Sequence, residues 1–107
     1  MKNLLFICSL NKWRSPTAEH IFADLPNIQT DSAGLNRGAE VRLDTDQIEW
    51  ADIILVMEKK HQKKMNETFR IYLADKKVVV LNIPDNYHYM DDDLIRILKT
   101  KCQPYLS

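Results

Sequence analysis

Cys8 and Arg14 are the residues whose types and spacing promise chemistry. They stand in the stretch FICSLNKWRSP, Phe6 to Pro16, with five residues between them. A loop that leaves a strand and enters a helix can turn successive backbone N–H groups inward, and the helix adds its positive end. A dianionic phosphate suits such a cup. The same field favours thiolate over thiol at Cys8. Arg14 can offer parallel N–H donors to phosphate oxygens and keeps its charge at any ordinary pH. A thiolate beneath a phosphoryl group is placed for in-line attack and a cysteinyl-phosphate intermediate. The leaving oxygen then needs a proton, for which Asp85 is the best-placed carboxylate. Once ionised, it could activate water for the second step. The plain alternative is that Cys8 is a small buried apolar residue at a strand end.

The elements around these residues decide whether they can meet. Leu4 to Ile7 is a short apolar run that reads as a buried strand. Ser15-Pro16 reads as a helix start, serine at the cap and proline at the first helical position. Ala18, Phe22 and Leu25 give that helix an inward face, with Ile21 beside them, and Leu25-Pro26 ends it. Ile28 to Ser32 is a weak strand followed by a turn at Gly34, and Leu35 to Leu43 reads as loop. Asp44 and Gln47 make a capping-box pattern for a short helix. Asp52 to Met57 is a second apolar run, Glu58 to Phe69 a lysine-rich helix, and Val78 to Leu81 a third run that Pro84 breaks. Asp91 to Lys101 is a last helix with Leu94, Ile95 and Leu98 on one face.

Strands that alternate with helices and read as buried on both faces imply a parallel sheet with right-handed crossovers. The expected fold is a single α/β domain over residues 1–107: three layers, α/β/α, a four-stranded parallel sheet and a phosphate-binding loop after the first strand. In such a sheet ligands sit beyond the carboxyl ends of the strands. Cys8, Ser32 to Gly34, Met57-Glu58 and Pro84-Asp85 all fall at those ends, so one rim is expected to gather them.

Bulk composition bounds the rest. Fifteen basic and fifteen acidic residues cancel in a chain of 107, so no global field draws nucleic acid or anionic membrane, and an anion site must be local. Neither partner is expected. The longest apolar runs fall far short of the ~20 residues of a membrane span. MKNLLFICSL lacks a small-residue cleavage site and does not read as a signal peptide. Two cysteines 94 positions apart form no disulfide framework, which points to a reducing, cytoplasmic setting. No zinc spacing, Walker-type loop or dinucleotide fingerprint is present, so neither metal nor cofactor is expected. Asp91, Asp92 and Asp93 resemble a metal cluster but read more simply as dipole partners at a helix start. Glu58 to Lys64 reads as a solvated face, and His20, His61 and His88 are assigned no role.

CSLNKWRSPTAEHIF resembles the signature of the low-molecular-weight protein tyrosine phosphatases, usually C-x-G-N-x-C-R-S-P. SAG at Ser32 to Gly34, ADIILVMEKKH and IPDNYHY are similar to further stretches of that family, in the same order. The resemblance implies that Cys8 is the nucleophile and that Arg14 binds phosphate. It further implies that Ser15 stabilises the thiolate, Asn11 braces the loop, Asp85 is the general acid and Tyr87 helps wall the substrate. Ser9, Leu10, Lys12 and Trp13 complete the phosphate-binding loop on this reading.

The substrate so implied is a phosphorylated protein, phosphotyrosine by default, or a small aryl phosphate, with inorganic phosphate as product. Three departures stand. Leu10 replaces the family glycine, Trp13 a second cysteine, and Asn86 the proline of the acid loop. A left-handed backbone at position 10 would strain leucine, whereas Asn11 tolerates one better. Lys12 takes a position often apolar in the family and favours a more anionic substrate. Two rival readings remain. One is a thiol enzyme resembling arsenate reductase, for which Cys102 is the only further thiol. The other is a phosphate- or phosphoprotein-binding module that has lost turnover. The sequence says nothing of oligomeric state.

Overall fold

The computed structural model describes residues 1–106. Four strands, β1 (Lys2–Cys8), β2 (Ile28–Gly34), β3 (Ile53–Val56) and β4 (Lys77–Val80), form one sheet in the order β2-β1-β3-β4. Every pairing is parallel. Helices α1 (Arg14–Phe22), α2 (Thr45–Trp50), α3 (Lys59–Phe69) and α4 (Asp92–Cys102) connect or follow the strands.

The pleat of the sheet sorts the core. Leu4, Phe6 and Cys8 of β1, with Ile53, Leu55 and Met57, pack on Ala18 and Phe22 of α1 and Leu94, Leu98 and Cys102 of α4. Leu5 and Ile7, with Ile54 and Val56, face Ile48 of α2 and Met65 of α3. Alternate residues of the two central strands therefore serve opposite layers, which is why their runs read as continuously apolar. The result is the expected three-layer α/β/α arrangement. Phe6 and Phe22 stack with centroids 5.9 Å apart, adding about 1 kcal/mol to their burial.

Asp44 caps α2 through a reciprocal bond with Gln47, as the pattern predicts. Other expectations need correction. Helix α1 begins at Arg14 with Trp13 at its cap, so Ser15 does not cap it. Pro16 sits at the third helical position, still within the first turn, where a missing N–H leaves no bond unmade. Leu25 lies beyond α1 and is exposed, because the helix stops at Phe22 and Asn27 turns the chain at φ 64°. In α4 the buried stripe is Leu94, Leu98 and Cys102, at strict spacing of four, with Ile97 rather than Ile95 packed against it. Strand β2 runs on through Gly34.

Candidate functional site

The loop from Ser9 to Trp13 leaves the carboxyl end of β1 and is clamped against the chain that follows β2. Leu35, Asn36 and Glu40 donate their N–H groups to the carbonyls of Cys8, Ser9 and Leu10. That turns the loop's carbonyls outward. Its own N–H groups at Leu10, Lys12 and Trp13 have no acceptor among the described residues. The close approach depends on Gly34, paired with Cys8 in register. A Cβ there would stand 2.6 Å from the Ser9 carbonyl oxygen, 2.7 Å from Ala39 Cβ and 3.0 Å from Asn11 N. The glycine the loop needs is therefore in the neighbouring strand. Within the loop, Asn11 takes the left-handed backbone at φ 56°, and Leu10 does not. Leucine at position 10 consequently carries no such strain, and asparagine is among the residues that tolerate it.

Asn11 is buried and holds the loop from below. Its Nδ2 donates to Ser15 Oγ at 3.0 Å and to Ser32 Oγ at 2.9 Å. Ser32 Oγ in turn donates a hydrogen bond to Glu19 Oε1 at 2.5 Å. Ser15 Oγ, already accepting from Asn11, lies 2.9 Å from Cys8 Sγ, where either atom can donate, and 3.5 Å from the Ala33 carbonyl oxygen, which can also take its proton. The Asn11 backbone N–H also points at that sulfur, at 3.2 Å. The Asn11 N–H and the Ser15 hydroxyl thus both stand against the Cys8 sulfur. Ser15 stands in the first turn of α1 with its hydroxyl turned to the sulfur.

Arg14 is buried, 2% exposed. Its Nη1 donates to Glu58 Oε2 at 2.6 Å and to the Ile83 carbonyl at 2.8 Å. Nε lies 3.6 Å from Asp85 Oδ1. With Nη1 engaged, the Nε–Nη2 edge is the face that can offer two parallel donors to an anion. Asp85 is half exposed and lines one small cleft with Cys8, Ser9, Leu10, Lys12, Trp13 and Arg14. The rim expected from the strand ends is assembled, although Cys8 and Asp85 are 77 residues apart.

Two further residues stand here: Glu58, expected at this rim from its strand end but given no role, and His61, assigned none. Glu58 opens α3, and burial raises its pKa while the Arg14 hydrogen bond and charge lower it further, for a net fall below the usual carboxylate range. His61, one turn on, is buried, with Nδ1 accepting from the Glu58 N–H at 3.0 Å and Nε2 2.8 Å from Ser9 Oγ. Burial, then the Arg14 charge, push the ring's pKa down to about 4. Glu58 and His61 are thus not part of a solvated face. A signal existed: Glu58 ends an apolar run at the ligand-binding side of the sheet, and the first turn of the next helix must overhang that side.

Tyr87 is not among the residues that line the small cleft. Its side chain is half-buried and packs against the core cluster that α1 and α4 share with the sheet. The exposed apolar rim is Leu10 and Trp13, and the Trp13 ring meets His88 edge-on at 5.7 Å. Lys12 is exposed at the mouth. Cys102 is fully buried in the core cluster, and burial pushes its thiol up to about 12. Asp91 caps α4, and Asp92 and Asp93 stand in its first turn, as expected of dipole partners; Asp93 also pairs with Arg96 at 2.8 Å. Among the described residues no cluster of three or more potential ligands could hold a metal ion, and no helix is long and apolar enough to cross a membrane.

This fold, with its loop after the first strand, is that of the low-molecular-weight protein tyrosine phosphatases. SP-PTP, such a phosphatase from Streptococcus pyogenes, superposes with a TM-score of 0.80 at 18% identity, over 99% of this chain and 91% of that one. The tyrosine phosphatase Wzb from Escherichia coli K30, in complex with phosphate, gives 0.80 at 20% identity, over 98% and 96%. The YwlE arginine phosphatase from Geobacillus stearothermophilus gives 0.75 at 20%, over 98% and 93%. No family model and no curated protein matches the sequence.

Proposed function

We propose that the protein hydrolyses phosphate monoesters, protein phosphotyrosine above all, through a cysteinyl-phosphate intermediate. The observation that carries this reading is the single cleft lined by Cys8 at its base, Arg14 on its wall and Asp85 at its mouth. The Cys8 thiolate attacks phosphorus in line. The bond to the leaving oxygen breaks, the electron pair stays on that oxygen, and Asp85 supplies its proton. Arg14, through Nε and Nη2, and the unpaired loop N–H groups hold the equatorial oxygens as charge develops. Asp85, now ionised, takes a proton from water as that water attacks phosphorus. The S–P bond breaks back to thiolate, and inorganic phosphate leaves. Every proton and electron pair is balanced within the protein, substrate and water.

Solved neighbours of the same fold include tyrosine phosphatases and an arginine phosphatase by name. The exposed Trp13 and Leu10 favour an aromatic leaving group, which supports the assignment to phosphotyrosine. Buried Cys102 speaks against a thiol relay of the arsenate-reductase kind.

Hydrolysis of p-nitrophenyl phosphate and of phosphotyrosine and phosphoarginine peptides tests the reading. The expected result is turnover of both aryl substrates, no activity in Cys8→Ser, and a higher kcat/KM for the phosphotyrosine peptide. Retained activity in Cys8→Ser would sink the mechanism. Preference for the phosphoarginine peptide would overturn the substrate class. Phosphate binding with no turnover of any substrate would make the protein a binding module.

A further inference from the structure

Ser9 and His61 form a pair that the roles of Cys8, Arg14 and Asp85 leave unused. A backbone N–H can only donate, so His61 Nδ1, 3.0 Å from the Glu58 N–H, accepts and carries no proton. The ring proton is then on Nε2, which faces Ser9 Oγ at 2.8 Å. Nε2 donates and Ser9 Oγ accepts. The hydroxyl's own proton is left to point elsewhere, and among the described residues no acceptor of the chain takes it. Ser9 lines the cleft beside Cys8 and Arg14.

We propose that the Ser9 hydroxyl donates to a phosphoryl oxygen in this cleft, and that His61 is the positioning residue that occupies its lone pair and so directs its proton there. The inference rests on reading the cleft as a phosphate site. A serine hydroxyl left to itself rotates among several acceptors, its neighbouring backbone included. An imidazole N–H held by packing removes that freedom. His61 is itself fixed: it is 3% exposed, and its Nδ1 completes the cap of α3. Glu58, whose N–H orients His61, also holds Arg14 through its carboxylate. One helix start therefore sets both the guanidinium and the hydroxyl of the cleft. The neutral ring that this geometry requires agrees with the burial and the Arg14 charge that disfavour its protonation.

The test is the affinity for inorganic phosphate, measured by calorimetry and by inhibition of p-nitrophenyl phosphate hydrolysis. A hydrogen bond to a charged oxygen predicts that Ser9→Ala binds phosphate about tenfold more weakly or worse. His61→Leu should lose a similar factor. In the Ser9→Ala background, His61→Leu should cost nothing more, because His61 acts only through Ser9. His61→Gln, whose amide can accept from Glu58 N–H and donate to Ser9, should stay within about twofold of the unmodified protein. Equal phosphate affinity in Ser9→Ala would overturn the proposal. So would an undiminished effect of His61→Leu in the Ser9→Ala background, which marks a merely structural histidine. If His61→Leu fails to fold, Ser9→Ala and His61→Gln still decide. Phosphate binding without hydrolysis by the unmodified protein would remove the catalytic reading and leave this one standing. Hydrolysis with unchanged affinity in Ser9→Ala would do the reverse.

Discussion

The two halves of the cleft are built differently. The Cys8–Arg14 loop is an extension of the core. Its carbonyls are clamped by the chain after β2, its asparagine is buried, and its arginine is tied to Glu58 and Ile83. The segment that carries Asp85 is an open loop. Asp85 is 51% exposed, and the loop's tethers to α1 and its cap are the 3.6 Å Arg14–Asp85 ion pair, Met90 N–H on Thr17 Oγ1, a 3.5 Å contact from Tyr89 to His20, and the Trp13–His88 edge contact. Groups that must hold a fixed anion are rigid before it arrives, at no reorganisation cost. A group that must meet a variable leaving group and then water tolerates a looser mount. On this view changes at Asp85 should affect turnover with little effect on stability, while changes at the loop should affect both.

The largest effect separates the two halves outright. Asp85→Asn removes the proton donor but keeps the shape, and general acid–base catalysis is worth about 10²–10⁴ in rate. Turnover of phosphotyrosine peptide should fall by that factor with Tm unchanged. A p-nitrophenyl leaving group needs less protonation and should show a smaller loss. A matching fall in Tm would show that Asp85 holds the loop structure rather than serving chemistry, and would break the comparison.

The rigid half contains a titrating group, and that gives the next largest effect. His61 has a pKa of about 4 in the fold against an ordinary 6.5. Between those values the unfolded chain binds a proton that the folded chain refuses, so stability is fully present above 6.5 and is lost as pH falls towards 4. The loss is at most about 3 kcal/mol. Glu58, lowered by its Arg14 partner, adds to the loss below its own ordinary value of 4.5. Urea unfolding at pH 7.5 and pH 5 should show the difference, and His61→Gln should remove most of it. An equal pH dependence in His61→Gln would assign the effect elsewhere.

Sequence reading located these halves unevenly, for physical reasons. The sheet was legible because β1 and β3 face a helix layer on each side and must be apolar at every position. Cys8, Arg14 and Asp85 were legible because strand ends locate a rim without any knowledge of side-chain direction. His61 was not, since a lone histidine in the lysine-rich helix shows nothing of which way it turns. Tyr87 was assigned to the rim by resemblance, and its half-buried ring packs against the core cluster outside the small cleft. Ser15 was read as a cap because Ser-Pro is so often a helix start, but the helix begins at Arg14, two residues before the Pro16 start so implied, and the Ser15 hydroxyl stands against Cys8, where the resemblance had put it. The glycine missing from the loop was found across the sheet at Gly34, a relation that only strand register reveals.

Gly34→Ala therefore tests the rigid half from outside it. The added methyl would meet the Ser9 carbonyl and Ala39 Cβ at under 3 Å, so backbone must move. Overpacking of this kind costs about 1–3 kcal/mol. The shift would also displace Ser9 and Asn11, so phosphate affinity should fall together with Tm. Stability loss alone would mean that the loop geometry is set by Asn11 and its partners without help from the strand.

The smallest effect comes from the rim that the two halves share. Trp13 is 40% exposed, and its ring meets His88 edge-on at 5.7 Å. Trp13→Ala should change stability by less than about 0.5 kcal/mol, as surface substitutions usually do. If the ring stacks on an aromatic leaving group, KM for the phosphotyrosine peptide should rise severalfold, while inorganic phosphate, too small to reach the rim, should bind as before. Kinetics on both ligands separate the outcomes. A loss of phosphate affinity in Trp13→Ala would mean that the rim helps to shape the cup, and the division between a rigid anion site and an adaptable mouth would have to be redrawn at Trp13.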